Sequence, residues 1–329
     1  MEYRRLGKSG LKVSALSFGT WITFGNQLDE KSAKECVQAA YDAGINFFDG
    51  AEVYAGGQAE VFLGKVFRET KWSRDSYIIS SKVFYGGDLP TQRGLSRKHI
   101  FDACHSALKR LQTEYLDLYY CHRADPETPI EETVRAMSSL IQQGKVMYWG
   151  TSEWTAQQIM EAYTIARQYN LIPPTMEQPQ YNMFCRDRVE QEYTRLYDEI
   201  GLGTTTWSPL ASGVLTGKYN KGAPSNSRVH LQGFEWLKHR LLETQEGQEN
   251  IAKTEKLKDI AKHLGVPLHH LAIAWCLRKP YISSVILGAS NKAQLIDNLR
   301  ALSVPELTSE ILSSIDEILQ NVPKKTADN

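Results

Sequence analysis

Tyr77-Ile78-Ile79-Ser80-Ser81-Lys82 is the stretch on which the fold turns. Its apolar run does not alternate with polar residues, which suits a strand buried on both faces of a parallel sheet. Val285-Ile286-Leu287 reads in the same way. Working outward, strand patterns fall at 13–19, 46–51, 77–82, 116–122, 146–152, 175–181, 203–210 and 283–289, which makes eight. Helical periodicity fills the intervals at about 30–43, 59–67, 97–110, 130–142, 156–169 and 189–200, and Gly44, Gly144 and Gly201 stand just past three of these helix ends. Strand ends recur roughly every 30 to 40 residues, the length of one βα unit. Strand–helix alternation predicts a parallel α/β sheet, and eight units predict closure into a (β/α)8 TIM barrel.

The regularity breaks once, in an insertion over 211–282 before the last strand. It holds a loop rich in Gly, Ser and Asn at 213–227 and helical patterns near 234–242, 251–264 and 268–277. In a barrel such an insertion is expected at the C-terminal mouth, where active sites lie. At the other end of the chain, 3–6 and 11–13 flank Gly7-Lys8-Ser9-Gly10 and read as a β-hairpin placed as a plug across the barrel bottom. Extra C-terminal helices end with Ser309–Leu319 and a polar tail reaching Asn329. No linker or composition shift divides the sequence, so 1–329 is read as a single domain.

Composition narrows the function classes. The 329 residues are 42% hydrophobic and 23% charged, and Lys plus Arg equals Asp plus Glu at 38 each. That balance argues against a nucleic-acid partner. Five cysteines (Cys36, Cys104, Cys121, Cys185, Cys276) lie scattered without a CxxC pair, which argues against a disulfide framework or a structural metal and for a reducing compartment. No apolar run is long enough to span or enter a membrane and Met1-Glu2-Tyr3-Arg4-Arg5 opens no signal peptide, so a cytoplasmic location without membrane insertion is expected. There is no G-x-G-x-x-G after an early strand, no HExxH and no GxSxG. Gly213-Val214-Leu215-Thr216-Gly217-Lys218 fails as a P-loop, having three residues between its glycines and Tyr219 where Ser or Thr should follow the lysine.

What remains is a set of polar side chains at consecutive strand ends. Asp49 ends the second strand, Tyr54 follows in its loop, Lys82 ends the third and His122 the fourth. Neighbouring strand ends of a barrel converge at its mouth. A lysine in so apolar a setting needs an anion nearby, and Asp49 is the candidate. The ammonium would sit beside the Tyr54 hydroxyl and lower its pKa from about 10, making a usable proton donor. His122 could donate to the same substrate oxygen as negative charge develops. Taken singly, each has a plainer reading: an ion pair that is only structural, a surface tyrosine, a satisfied histidine. Four titratable groups on one rim are costly without a use.

The stretch Asp49-Gly50-Ala51-Glu52-Val53-Tyr54, with Lys82 and His122, resembles the Asp-Tyr-Lys-His tetrad of the aldo-keto reductases. Tyr3-Arg4-Arg5-Leu6-Gly7-Lys8-Ser9-Gly10-Leu11-Lys12-Val13-Ser14, Gly144-Lys145-Val146, Gly150-Thr151-Ser152 and Glu177-Gln178 carry the likeness along nearly the whole chain. Thr206-Trp207-Ser208-Pro209-Leu210-Ala211, Leu271-Ala272-Ile273-Ala274-Trp275-Cys276-Leu277-Arg278 and Leu287-Gly288-Ala289-Ser290-Asn291 are similar to the Shaker-type voltage-gated potassium channel β-subunit branch.

The resemblance implies NADP(H) bound in extended form across the barrel mouth, and a small aldehyde or ketone as substrate. Carried over by position, Thr20, Trp21, Gln27, Ser152 and Gln178 would line the nicotinamide, and Asp49 and His122 would touch the cofactor as well as the substrate. Trp207, Ser208, Pro209, Leu210, Ala211 and Ser212 would run under the ribose and pyrophosphate, with Lys218, Asn226 and Arg228 over the phosphates. Gly288, Ser290, Gln294, Asp297 and Asn298 would surround the adenosine. Barrel phosphate sites follow strands seven and eight, and a helix beginning near Asn291 would offer its N-terminus to an anion. Lys218 and Arg228, read without the resemblance, are solvated loop charges. The loop 211–227 would clasp the cofactor and slow its release.

Two departures stand out. Vertebrate-type channel subunits are similar except for Asn where His122 stands here, so His122 favours turnover. Glu153 occupies a position usually filled by Arg, which puts one cofactor contact in question. The alternative reading implied by the branch is a regulatory β-subunit, homotetrameric, docked on a potassium channel α-subunit and binding NADPH as a redox sensor. Channel-blocking members carry a long N-terminal inactivation segment, and the chain as given starts two residues before the first strand, so pore plugging by such a segment is not expected.

Overall fold

The computed structural model of the protein describes residues 1–21, 30–225, 227–231 and 233–324. Contacts gather the chain into two compact units. The first comprises 1–180, 192–207 and 280–296; the second comprises 181–191, 208–279 and 297–329.

The first unit is the barrel. Its strands are β3 (Leu16–Gly19), β4 (Phe47–Asp49), β5 (Ile78–Val83), β6 (Leu116–Cys121), β7 (Val146–Thr151), β8 (Met176–Glu177), β9 (Gly203–Thr206) and β10 (Ile282–Leu287). Each pairs in parallel with the next, and β10 pairs with β3 to close the ring. All six residues of β5 and all six of β10 are buried, as expected of strands covered on both faces, and each carries polar residues into the interior: Ser80, Ser81 and Lys82 in β5, Ser283 and Ser284 in β10. Several polar side chains of the barrel strands find partners inside: Ser284 Oγ of β10 donates to the Ser14 carbonyl at 2.7 Å, and Tyr120 Oη of β6 lies 2.9 Å from Thr205 Oγ1 of β9.

Helices alternate with the strands: α1 (Glu30–Asp42), α2 (Gln58–Thr70), α3 (Arg97–Leu111), α4 (Ile130–Gln142), α5 (Ala156–Gln168) and the short α6 (Thr194–Glu199). The sequence suggests one helix over 189–200; the structure breaks it into a π-turn, Arg188–Glu192, and α6. Thr155 begins α5 with a full capping box to Gln158.

The N-terminal hairpin pairs β1 (Tyr3–Arg5) with β2 (Lys12–Ser14) in antiparallel register. The pattern over 13–19 therefore divides between the hairpin and the barrel, with Ala15 between them. Leu6 and Val13 are fully buried in one cluster with Phe47, Ile78 and Met176, the first residues of β4, β5 and β8, so the hairpin plugs that end; the cluster continues up the barrel through Leu118 to Ile286. Backbone approach is close there: a Cβ on Gly7, whose φ is +56°, would lie 2.2 Å from the Gly201 carbonyl oxygen.

The second unit is helical. It contains α7 (Glu235–Lys238), continued by a π-turn over His239–Glu243, then α8 (Gln245–His263), α9 (Leu268–Leu277) and α11 (Ser309–Leu319). Between them runs α10 (Lys292–Leu299), which straddles the two stretches on either side of 296. Val214, Tyr219, Val229, Leu237 and Leu241 form its apolar cluster. Arg186 and Arg278 converge on Glu190, each 2.7 to 2.8 Å from a carboxylate oxygen. Among the described residues no helix is long and apolar enough to cross a membrane.

Candidate active site

Strand ends β4 and β5 hold the centre of the site. Lys82 is completely buried, and its three ammonium hydrogens have three acceptors: Asp49 Oδ2 at 2.6 Å, the Gly50 carbonyl at 2.8 Å and the Tyr54 oxygen at 3.1 Å. The other carboxylate oxygen of Asp49 accepts from Ser80 Oγ at 2.8 Å and from Gln178 Nε2 at 3.0 Å. Both charges are thus paired and hydrogen-bonded, the condition under which a buried pair is tolerated. An ammonium has three donors and no acceptor. Tyr54 must therefore receive a hydrogen from Lys82, and its own hydrogen points elsewhere. Among the described residues it has no acceptor.

Tyr54 reaches this position on a strained turn. The 3-10 segment Tyr54–Gly57 contains Ala55 at φ +50°, Gly56 at φ +60° and Gly57 at φ +87°. Arg110 of α3 lies over Gly57, where a Cβ would come 3.0 Å from its Cδ, and donates to the buried Glu60 at 2.6 Å. Strain of this kind persists only where surrounding contacts hold it. Burial raises the Tyr54 phenol above its ordinary pKa, and the Lys82 charge pulls against that rise without reversing it. The acidified phenol expected from the sequence is therefore only half the account: at neutral pH Tyr54 holds its proton. For Lys82, burial favours the neutral amine, but Asp49 and Tyr54 together outweigh it and keep the ammonium charged.

His122 follows the last residue of β6, and its amide donates to the Val83 carbonyl at 2.9 Å. Its ring meets Tyr54 and Tyr85 edge-on, with centroids 5.9 and 5.5 Å away. Burial, then the Lys82 and Arg123 charges, hold its pKa well below the usual 6.5, so the imidazole is neutral. Its buried Nδ1 has no hydrogen-bond partner.

The structure therefore gathers Asp49, Tyr54, Lys82 and His122 at one rim, together with several residues expected beside them. Thr20 is buried and its hydroxyl donates to the Asp49 carbonyl at 3.0 Å. Trp21 is 40% exposed. Ser152 Oγ donates to the Gln178 carbonyl at 2.8 Å, so both residues serve the Asp49 side of the site. Glu153, at φ +60°, accepts from Trp207 Nε1 at 3.0 Å and from the Gln180 amide at 2.6 Å, tying the β7 loop to the end of β9. Its carboxylate is a clamp between barrel loops, a role that an Arg could not fill by accepting. Ser290 and Gln294 bind each other, Ser290 Oγ donating to Gln294 Oε1 at 2.7 Å, and Asn291 caps the helix through the Gln294 amide at 2.8 Å. Gly288 is exposed, and a Cβ there would meet nothing within 4 Å.

Within the second unit, Ser208, Ala211, Ser212 and Gly213 all have positive φ. Ser208 accepts from Asn182 Nδ2 through its carbonyl at 3.0 Å, Pro209 is buried and Leu210 half-buried. Lys218 Nζ sits 5.0 Å from the Tyr219 ring centroid. Arg228 starts a 3-10 turn, Arg228–His230. Asp297 faces two histidines, and Asn298 is buried. Gln27 and Asn226 lie outside the described residues.

Sequence reasoning missed Ser80, Glu52 and His99. Glu52, two residues before Tyr54, accepts from the Phe84 amide at 2.7 Å and lies 3.5 Å from His99 Nε2, whose other ring nitrogen is 2.9 Å from the Gly94 carbonyl. Only Glu52, within the quoted Tyr54 loop, carried a signal that could have singled it out.

Residues 15–320 match the aldo/keto reductase family. The chain belongs to that family. Among aldo/keto reductase relatives, a protein of Oryza sativa subsp. japonica named as a probable voltage-gated potassium channel subunit beta is 52% identical over 328 residues, 99% of each chain. One of Arabidopsis thaliana with the same name is 54% identical over 327 residues, covering 99% of this chain and 98% of its own. This aldo/keto reductase thus has Asp49, Tyr54, Lys82 and His122 gathered at one rim and relatives named for a channel.

Proposed function

We propose that this chain is an NADPH-dependent reductase of aldehydes or ketones, with Tyr54 as the proton donor. The observation that supports this most is the hydrogen count at Lys82: with all three donors engaged, the Tyr54 hydroxyl accepts on one side and has its hydrogen left to give on the other. The residues fit a carbonyl held beside a nicotinamide, because His122 is neutral and keeps an unpartnered buried nitrogen next to Tyr54. The cofactor, when bound, supplies the hydride. Tyr54 gives the proton to the carbonyl oxygen. Lys82, held by Asp49, steadies the phenolate that Tyr54 becomes, and His122 orients the oxygen through its remaining ring N–H.

Thr20, Trp21, Gln27, Ser152 and Gln178 are proposed at the nicotinamide end. For the ribose, phosphates and adenosine the proposal names Trp207 to Ser212, Lys218, Asn226, Arg228, Gly288, Ser290, Gln294, Asp297 and Asn298. Glu153 is proposed to shape the site through Trp207. Tyr54→Phe tests the reading. It should lower the reduction of an aromatic aldehyde by ~10²–10⁴ while NADPH still quenches tryptophan fluorescence as before. Turnover like the parent's would remove Tyr54 from the mechanism.

The names of the rice and Arabidopsis relatives support a second reading, a β-subunit that associates with a potassium channel α-subunit. On that reading the subunit is proposed to be cytoplasmic and homotetrameric and to sense NADPH. Steady consumption of NADPH with aldehyde favours the enzyme. A single burst, with oxidised cofactor retained, favours the sensor.

A further inference from the structure

The second unit carries a cluster that takes no part in the proposed proton transfer. Pro267 stands at the entry to α9, and the helix begins Leu268-His269-His270. Both imidazoles reach Asp297. His269 Nε2 lies 2.7 Å from Asp297 Oδ2, and His270 Nε2 lies 3.3 Å from Oδ1, with the two rings edge-on at 4.4 Å between centroids. The three ligand atoms all fall within 4.8 Å of one another. His270 is 5% exposed, yet its Nε2, 3.3 Å from the Asp297 carboxylate, makes no well-aligned hydrogen bond. A buried polar atom left unsatisfied is destabilising, and a second neighbour is the usual remedy. The cluster is open on one side, since the His269 side chain is 20% and that of Asp297 42% exposed.

We propose that His269, His270 and Asp297 form a binding site for a divalent transition-metal ion of the zinc class. Two imidazole nitrogens and one carboxylate oxygen are a donor set that zinc takes at about 2.0–2.2 Å, whereas calcium and magnesium ask for oxygens throughout. Tetrahedral bonds of that length hold neighbouring ligand atoms about 3.3 Å apart, so small side-chain rotations suffice. The ion replaces the missing partner of His270 Nε2, and the open side leaves its fourth position to water. The nearest competing cation is the Arg300 guanidinium, 3.8 Å from Asp297 Oδ1 and 71% exposed, which can swing away into solvent.

The full chain, free of any affinity tag and treated with chelator, is titrated with zinc by calorimetry and with cobalt(II) by visible absorption. Asp297 is also among the residues proposed around the adenosine, so the titration is run without cofactor and its result stands apart from that reading. One ion per chain is expected, with a tetrahedral cobalt spectrum. His269→Ala and Asp297→Asn, both at partly exposed positions, should each weaken binding by ~10–100-fold, and His263→Ala should not. Failure of the parent chain to take up either ion overturns the proposal, as does parent-like affinity in both His269→Ala and Asp297→Asn.

Discussion

Lys82 donates to the Tyr54 oxygen across 3.1 Å, and that one contact dictates which way the phenol hydrogen points. The same ammonium holds Asp49 at 2.6 Å. Structure and proposed chemistry therefore share one group, and experiment can separate them.

Lys82→Met should abolish most aldehyde reduction, by ~10²–10⁴, and also leave Asp49 as an unpaired buried charge, which costs about 3–5 kcal/mol. Asp49→Asn combined with Lys82→Met removes both charges and should recover much of the lost stability but none of the activity. Urea unfolding and turnover, measured on both variants, decide the matter. Activity that returns in step with stability would leave the pair a structural role alone.

His122 links the site to pH. Its folded pKa is depressed by burial first and then by Lys82 and Arg123. A depressed histidine stabilises above its unfolded pKa, near 6.5, because only the unfolded chain then gains a proton as pH falls. That share of stability is lost below pH 6.5, with a slope of at most about 1.4 kcal/mol per pH unit. The stability difference between the parent and His122→Asn should therefore shrink between about pH 7 and pH 5. His99 is shifted upward, so its contribution has the opposite sign, but it is common to both proteins and cancels. A difference that stays constant or grows on acidification would contradict a neutral buried His122.

Glu153 offers a test of strain against hydrogen bonding. Glu153→Ala loses the acceptor for Trp207 and Gln180 and keeps the positive φ, and should destabilise by about 1–3 kcal/mol. Glu153→Gly loses the same bonds but relaxes the backbone, and should recover about 0.5–1 kcal/mol of that deficit. Thermal melts of the two variants give the order. An alanine variant as stable as the glycine variant would show that the backbone at 153 carries no strain.

The barrel was legible because its strands are buried on both faces, so 77–82 and 283–289 announce themselves as apolar runs and appear as β5 and β10 with ends shifted by a residue or two. Asp49, Lys82 and His122 were legible for a related reason: a polar, titratable side chain at the end of an apolar run is conspicuous. Other boundaries were not. The pattern over 175–181 yields only Met176–Glu177, because Pro179 brings no amide hydrogen and the Gln180 amide donates to the Glu153 carboxylate instead of a neighbouring strand. The pattern over 203–210 stops at Thr206, since Ser208 adopts φ +60° and nothing in Ser-Pro-Leu signals that. Ser80 and His99 were invisible because their partners, Asp49 and Glu52, lie 31 and 47 positions away in sequence. The direction of the Tyr54 shift required the depth of its burial, which spacing does not reveal.

The hairpin at the barrel bottom bears on how the chain assembles. Leu6 and Val13 are made first, yet they share their cluster with Met176 and Ile286. A nascent chain must keep these two apolar residues waiting until the last strand has been synthesised. Contacts of such sequence separation slow folding, because a long loop has to close before they form. The hairpin, made before the barrel strands, cannot complete its packing until the last of them is in place.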